Sequence, residues 1–562
     1  MRSYRAALFG KVIAVAATAK SGEGIASPDI LERFYRLFLG VAVTGLFFLA
    51  AIAAGREYSF AGAVLVFSLL VYFLGAVLAS NRYVLCTALA LTILLLAVDR
   101  IDQVKYEHLQ SHLNPYDLLV VSSMLAHADL TVVSLYFHLV WPFLLALCIA
   151  GCVLAFTYSF EKRIVGSYQG LHKIRHVLFV TFLALFTIQL TIFCKSRYLD
   201  NISRFHSYLT SAEPGGLRIG SAVNFVWRMV QTWSELSTKP ELTQKIFGGS
   251  RERSNAATGN ISCSSCPDLI FIHLESTFDP VLLEEYSHSP GYLDKMAVDG
   301  EQRSRSGPLL VNIYGGSSWI SEFELLCGVR HTKFGEAGLY PHMFVSPYVK
   351  GCVPAFLKSL GYRTEAIYTT HPFFAGVAAG FRNYGIDKFL DSKSVGAPVD
   401  WRQQRDIHFI DALRKRLAEP SSQPRFIFVS TNSNHGPHGR QFARINQPGP
   451  FDPSRALSGE VSDYIERLNA TYTTMLQLER DLIASGRPVA VLFYGDHQPA
   501  YRKTYAASAR QRFKRDISNI TVFRMMRTYG DAPSHPVIEQ TPIRLEDLAS
   551  SFLEFAGISP SH

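Results

Sequence analysis

Five long apolar runs crowd into the first 194 residues, and no other feature limits the fold as much. They are about Leu37–Ala54, Phe60–Ala79, Tyr83–Val98, Leu139–Phe156 and Val177–Cys194. Each is near the roughly 17–25 residues that a helix needs to span a bilayer, the third being the shortest. Runs this long, adjacent and repeated, predict a membrane bundle rather than buried core helices. The start of the chain, residues 1–33, is polar and basic, with Arg2, Arg5, Lys11, Lys20 and Arg33. Its first apolar run begins too late and continues too far for a simple cleaved signal peptide. Lys162, Arg163, Lys173 and Arg175 lie in the loop before the fifth run, whereas the first outer loop has only Arg56. The positive-inside rule then puts residues 1–33 in the cytoplasm and everything after Cys194 on the outer side.

The bulk numbers agree with a chain of two kinds. Hydrophobic residues make up 48% and charged residues 18% of the 562 positions, an apolar balance for a soluble protein. The formal net charge of +9 could suit nucleic acid. No basic block with interleaved aromatics appears, however, and part of the excess lies in short loops between apolar runs, which points to membrane topology and anionic lipid. Two stretches are intermediate in character. Residues 99–130, containing KYEHLQSHLNPYDLLVVSSML, read as a re-entrant or interfacial segment packed against the bundle. Residues 196–266 read as a juxtamembrane region: a helix with Phe225, Trp227, Met229 and Trp233, lying at the interface or docked on the next domain, then a polar Gly/Ser/Asn-rich tether.

From Pro267 the pattern changes. Apolar runs of strand length (LIFIHL from Leu269, TEAIYT from Thr364, FIFVST from Phe426, VAVLFY from Val489) alternate with helical stretches at 352–360, 407–419 and 461–485. A last helix, LEDLASSFLEFAGI, closes the chain. Such alternation predicts a largely parallel sheet sandwiched by helices over 267–562. Of the eight cysteines, Cys86, Cys148, Cys152 and Cys194 belong to the apolar runs and read as packing residues. If the later part lies outside the cytoplasm, Cys327 with Cys352 is a candidate disulfide, and Cys263 with Cys266 a second.

Three of the strand-like runs end in groups of one chemical kind. LIFIHL ends in Glu275, VAVLFY in Gly495-Asp496-His497, and FIFVST runs into Asn434, His435 and His438. In a doubly wound sheet these ends meet at one edge. Carboxylate plus imidazole is a ligand set for zinc or manganese. A fourth piece, NIYGGSSWISEFELLCGV, places Ser317 and Ser318 after a Gly-Gly turn and before a helix-like pattern. A serine there is either an ordinary N-cap or a hydroxyl at an anion-favouring helix N-terminus. It becomes a useful nucleophile only when a base or metal lowers its pKa.

The order of these pieces (strand–Glu275, Gly-Ser turn with SEFELL, NHGPH, YGDH) resembles the alkaline phosphatase–sulfatase superfamily. Within it the likeness is to the branch of lipoteichoic acid synthases and phosphoglycerol or phosphoethanolamine transferases, whose five N-terminal spans and outer catalytic domain are also similar. The resemblance implies one divalent ion, Mn or Zn, held by Glu275, Ser318, Asp496 and His497. In lipoteichoic acid synthases the nucleophile stands four residues before the Glu of a Glu-Phe pair, so Glu322-Phe323 selects Ser318. That family has Thr at the position, so Ser is a departure that leaves Ser317 open. His435 matches a His that contacts the transferred phosphate, and His371 is a second substrate-contacting candidate. The family's Trp and Arg near His371 have no clear counterparts.

The implied activity moves a phosphoglycerol or phosphoethanolamine group from a phospholipid donor to an envelope glycan or lipid acceptor, through a phospho-serine intermediate. The implied place is the bacterial inner membrane, with the catalytic domain on the periplasmic or extracellular side. The alternatives are a phosphodiesterase of the same fold and a non-catalytic membrane sensor or assembly factor. Sulfate ester hydrolysis is disfavoured, because neither Cys327-Gly-Val-Arg nor Cys266-Pro-Asp fits the C/S-x-P-x-R motif of sulfatases.

Overall fold

The computed structural model describes most of residues 266–292, then 303–398, 400–436, 438–439, 449–500, 521–529 and 537–558, together with Lys105, Asn114, Tyr116 and Asp117 upstream. The five apolar runs, the basic N-terminal segment, the Trp227/Trp233 helix and the tether lie outside the described residues. Among the described residues no helix is long and apolar enough to cross a membrane.

Among the described residues one sheet of nine strands organises the part from Pro267 onward. The strands are β1 (Asp268–Leu274), β2 (Arg303–Leu310), β3 (Arg363–Ile367), β4 (Lys388–Leu390), β5 (Arg425–Ser430), β6 (Val489–Gly495), β7 (Thr521–Tyr529), β8 (Val537–Ile538) and β9 (Ile543–Arg544). Their order is β4-β3-β5-β1-β6-β7-β2-β8, with β9 also pairing with β2. β4, β3, β5, β1 and β6 are mutually parallel. β7 runs antiparallel to both β6 and β2. The sheet is therefore mixed through one reversed strand, β7.

β1, β5 and β6 are apolar throughout because both faces are covered, and every one of their residues is buried. Phe271, at the centre, meets Phe426 and Phe552 edge-on at 5.0 and 5.2 Å. The described helices are α1 (Ser318–Cys327), α2 (Pro341–Phe344), α3 (Val353–Ser359), α4 (Val377–Tyr384), α5 (Asp406–Ala418), α6 (Gly459–Ser485) and α7 (Leu545–Phe555).

Residues 101–133 fall in one compact unit with residues 225–562. The described part of this stretch packs on the α/β domain. Lys105 Nζ donates to both oxygens of Asp117 at 2.9 Å, and the Tyr340 hydroxyl donates to the same carboxylate. The Tyr116 and Phe344 rings lie 4.5 Å apart. Cys327 and Cys352 are joined in a disulfide that ties the end of α1 to the start of α3. Cys266 is also disulfide-bonded, to a partner outside the described residues.

Candidate active site and metal centre

Because β1, β3, β5 and β6 are parallel, their C-terminal ends share one edge, and the polar residues that follow them are brought together there. Glu275 follows β1, and Asp496-His497 follow β6, the immediate neighbour of β1. This crossing of the two chains is tight. A Cβ on Gly495 would lie 1.9 Å from the carbonyl oxygen of Thr277, so only glycine fits. Ser276 adopts a left-handed φ of 48°, a strained conformation of the kind stored at functional sites.

Backbone groups fix the carboxylates. Asp496 Oδ1 accepts from the amides of Ser276 (2.7 Å) and His497 (2.8 Å). Glu275 Oε1 accepts from the Ser276 hydroxyl at 2.8 Å. His497 Nδ1 lies 2.9 Å from the Gln498 carbonyl, so Nδ1–H donates there and leaves the Nε2 lone pair for other use.

The Gly-Gly turn delivers the hydroxyl. Gly315 has φ 79° and its amide donates to the Gln498 carbonyl at 2.9 Å. Ser317 is the N-cap residue of α1, again left-handed at φ 69°, and its side chain makes no capping bond. Ser318 opens the helix. Its Oγ donates to Glu275 Oε2 at 2.9 Å and lies 3.3 Å from His497 Nε2. Ser321, one turn on, donates to the Asp496 carbonyl at 2.9 Å and pins α1 to the end of β6.

Four groups therefore converge: Glu275, Ser318, Asp496 and His497. His497 Nε2 is 3.5 Å from Glu275 Oε1 and 3.3 Å from Asp496 Oδ2. Ligand atoms bonded at roughly 2.0–2.1 Å to a tetrahedral ion lie about 3.3 Å apart. Asp496 Oδ2 is buried and makes no hydrogen bond. Spacing and an orphaned acceptor both fit a cation, and His273, Glu275 and Asp496 form a further triplet with metal-ligand spacing. Burial raises the Glu275 carboxyl, but the imidazoles of His273, His435 and His497 outweigh it and hold it well below the usual carboxylate range. Burial pulls the His273 imidazole down, but Asp496, Glu275 and Glu322 push it up to about 10.

The loop after β5 is held from below. Asp406 Oδ1 accepts from the amides of Asn432 (2.9 Å) and Ser433 (2.8 Å). His435 follows, its Nδ1–H donating to the Gly436 carbonyl at 2.6 Å and its ring 4.5 Å from that of Trp401. His371 is exposed on the loop after β3, its Nδ1 accepting from the Phe373 amide at 3.4 Å. The interactions described for His371 do not reach the four converging groups.

Sequence reasoning passed over Trp401 and His273, and used Glu322 only to mark Ser318. Trp401 is separated from His435 by a helix and a strand, so no spacing links them. His273 looked like part of an apolar run, although two-residue alternation puts it on the face of Glu275. Glu322 is fully buried, with Tyr368 donating at 2.8 Å and His342 Nε2 at 3.0 Å. Its spacing of four from Ser318 selected that serine in the sequence, but did not report the burial of Glu322 itself.

Comparison with known proteins decides the family. Residues 267–558 match the Sulfatase family. This chain belongs to the sulfatase family. Among curated relatives, an uncharacterised protein of Haemophilus influenzae is 24% identical over 251 residues, 42% of this chain and 44% of that protein. The capsular polysaccharide biosynthesis protein RkpI of Rhizobium meliloti is 28% identical over 202 residues, 34% of each. The matched stretch thus spans less than half the length of these relatives.

Similar solved structures include the lipoteichoic acid synthase LtaP of Listeria monocytogenes, with TM-score 0.42, 16% identity, and 53% of this chain and 74% of that one covered. The phosphoglycerol transferase GacH of Streptococcus pyogenes, solved with sn-glycerol-1-phosphate, gives TM-score 0.37 at 18% identity, covering 57% and 81%. The periplasmic domain of EptC of Escherichia coli, solved with Zn, gives 0.37 at 13%, covering 52% and 82%.

Proposed function

We propose that this chain is a membrane-anchored, metal-dependent transferase. It moves a phosphoglycerol or phosphoethanolamine group from a phospholipid to an envelope glycan or lipid acceptor. The observation that carries this reading is the Ser318 hydroxyl at a helix N-terminus, 2.9 Å from Glu275 and 3.3 Å from His497 Nε2. Hydroxyl, carboxylates and imidazole within one sphere suit phosphoryl transfer through serine. The apolar runs upstream suit a donor that resides in a bilayer. The name of the Rhizobium relative, a capsular polysaccharide biosynthesis protein, is in keeping with an envelope glycan as acceptor.

Glu275, Ser318, Asp496 and His497 would hold one divalent ion, manganese or zinc. When bound, it lowers the pKa of the serine hydroxyl and offsets charge on the phosphate. Ser318 Oγ attacks phosphorus, the Oγ–P bond forms, and the P–O bond to diacylglycerol breaks. Glu275 Oε2 accepts the Oγ–H hydrogen bond and orients the hydroxyl. His435, close enough to bias Glu275, orients the phosphate or returns a proton to the departing oxygen. In the second half an acceptor hydroxyl attacks phosphorus and Ser318 is released. The helix N-terminus of α1 favours the phosphate throughout.

The test uses the full chain purified in detergent with phosphatidylglycerol or phosphatidylethanolamine carrying a labelled headgroup. Diacylglycerol release and a headgroup-phosphate adduct on Ser318, found by peptide mass spectrometry, are expected. Ser318→Ala should lower the rate by about 10⁴-fold or more and abolish the adduct. An adduct on Ser317 instead would reassign the nucleophile. Rapid release to water without any acceptor would favour the phosphodiesterase, and unchanged turnover in Ser318→Ala would remove catalysis through that serine.

A further inference from the structure

We propose that His273 supplies a second imidazole to the metal centre, its Nε2 joining Glu275, Asp496 and His497 around the ion. The proposal rests on the reading of this site as a metal centre, and goes beyond the four groups named above. His273 lies on β1 two residues before Glu275, so both side chains leave the same face of the strand. Its Nε2 is 3.1 Å from Asp496 Oδ2 and 3.9 Å from Glu275 Oε2.

His273 Nε2 and Asp496 Oδ2 are both fully buried and have no other hydrogen-bond partner. At 3.1 Å they pair directly when Nε2 carries a proton; once it is deprotonated two lone pairs face each other, an unfavourable arrangement that a cation relieves. An ion bonded to each at about 2.0–2.2 Å satisfies both at once.

The other side of the ring is arranged as for a metal-bound histidine. His273 Nδ1 lies 2.9 Å from the hydroxyl of Tyr494, its register partner on β6. Behind it, the Glu322 carboxylate stands 3.8 Å from Nδ1. Partners on the far nitrogen fix the ring and leave Nε2 for the ion. Glu322 lies on α1, one turn after Ser318, so the helix that carries the hydroxyl also steadies this ring. The remaining surroundings, the Phe428 and Tyr494 rings at 6.0 and 5.3 Å, offer Nε2 no polar partner.

The experiment counts imidazoles. The full chain in detergent is stripped with a chelator, reloaded with one equivalent of Zn²⁺, and studied by zinc X-ray absorption. Two imidazoles per zinc are expected in the wild type and one in His273→Gln, with zinc affinity lowered at least 10–100-fold. One imidazole in the wild type, lost in His497→Gln and kept in His273→Gln, would overturn the proposal while leaving the metal centre intact. Failure of the wild type to bind zinc or manganese would overturn both. Because the wild-type count alone decides, a His273→Gln protein that fails to fold does not rescue the idea.

Discussion

The two ends of β1 carry a carboxylate each, and the protein treats them in opposite ways. Asp268, at the start of the strand, is matched by permanent cations. Its Oδ2 lies 3.0 Å from Arg425 Nη2 and 3.2 Å from Arg487 Nη2, and its Oδ1 accepts the Arg425 amide at 2.8 Å. Glu275, just past the other end, has no lysine or arginine partner among the described residues. Its side-chain neighbours are Ser276, Ser318, His273 and His497. Asp496 beside it faces the same two imidazoles. Two other buried acids follow the Asp268 pattern: Glu365 pairs with Arg416, and Glu479 with Arg527. Charge at the structural edge is neutralised by the chain itself. At the functional edge it is left to groups that can yield to a ligand, which is how a cation site differs from a salt bridge.

The sharpest break of this comparison is a pair of isosteric changes. Glu275→Gln should lower headgroup transfer on the order of 10³-fold or more, through loss of the ion and of the carboxylate that orients Ser318. Its metal-free melting temperature should fall, because the imidazoles of His273, His435 and His497 hold the folded-state carboxyl below its ordinary value and glutamine forfeits that stabilisation. Added metal should then raise the melting temperature of the wild type but not of the variant, since a ligand at a hundred times its Kd stabilises by about 2.7 kcal/mol. If Glu275→Gln retains both the metal-induced shift and the activity, the carboxylate is not part of the centre.

Asp268→Asn should behave in the opposite way. Arg425 is only 2% exposed, so removing its partner leaves a buried charge without a counter-ion. Breaking such a pair destabilises by about 3–5 kcal/mol. Urea titration of the full chain would show this, while the rate per folded molecule stays within about twofold of the wild type. A large fall in kcat with unchanged stability would mean that the two ends of β1 are not separate in function.

Legibility in the sequence followed the same division. β1, β5 and β6 were readable because strands buried on both faces are continuous apolar runs. Glu275, Asp496 and His497 were readable because they end such runs. β2 was not: RSRSGPLL is polar, and its Gly307-Pro308 reads as a turn. Gly307 is demanded by the Arg524 side chain and the Glu539 carbonyl, each 2.7 Å from where a Cβ would stand. β7 was equally hidden, since TVFRMMRTY buries Arg524 and Arg527 against Glu539 and Glu479. Charge pairing of that kind is a tertiary fact that no periodicity reports. For the same reason His273 was passed over: its surroundings depend on which strand lies next to β1.

The smallest expected effect concerns the imidazoles that set the functional edge apart. His438, three residues after His435, is buried, with Nε2–H donating to the Asn434 carbonyl at 3.0 Å and its ring edge-on to Tyr464. Burial pulls this imidazole down to about 4, assisted by Arg467 and His435 and opposed by Asp463. The folded state thus refuses a proton that the unfolded chain accepts near pH 6.5. The unfolded chain binds more protons between pH 6.5 and 4, so stability contributed by neutral His438 is complete above pH 6.5 and declines as the pH falls toward 4. The slope is at most about 1.4 kcal/mol per pH unit, on the order of 2–3 kcal/mol across the window. Thermal unfolding of the wild type and His438→Gln across pH 4–8 measures the difference, with the variant losing less stability on acidification. The Asp268–Arg425 pair holds no imidazole, so Asp268→Asn should leave the pH 4–6.5 decline in place. If His438→Gln declines as steeply as the wild type, the acid sensitivity of this edge belongs to another group.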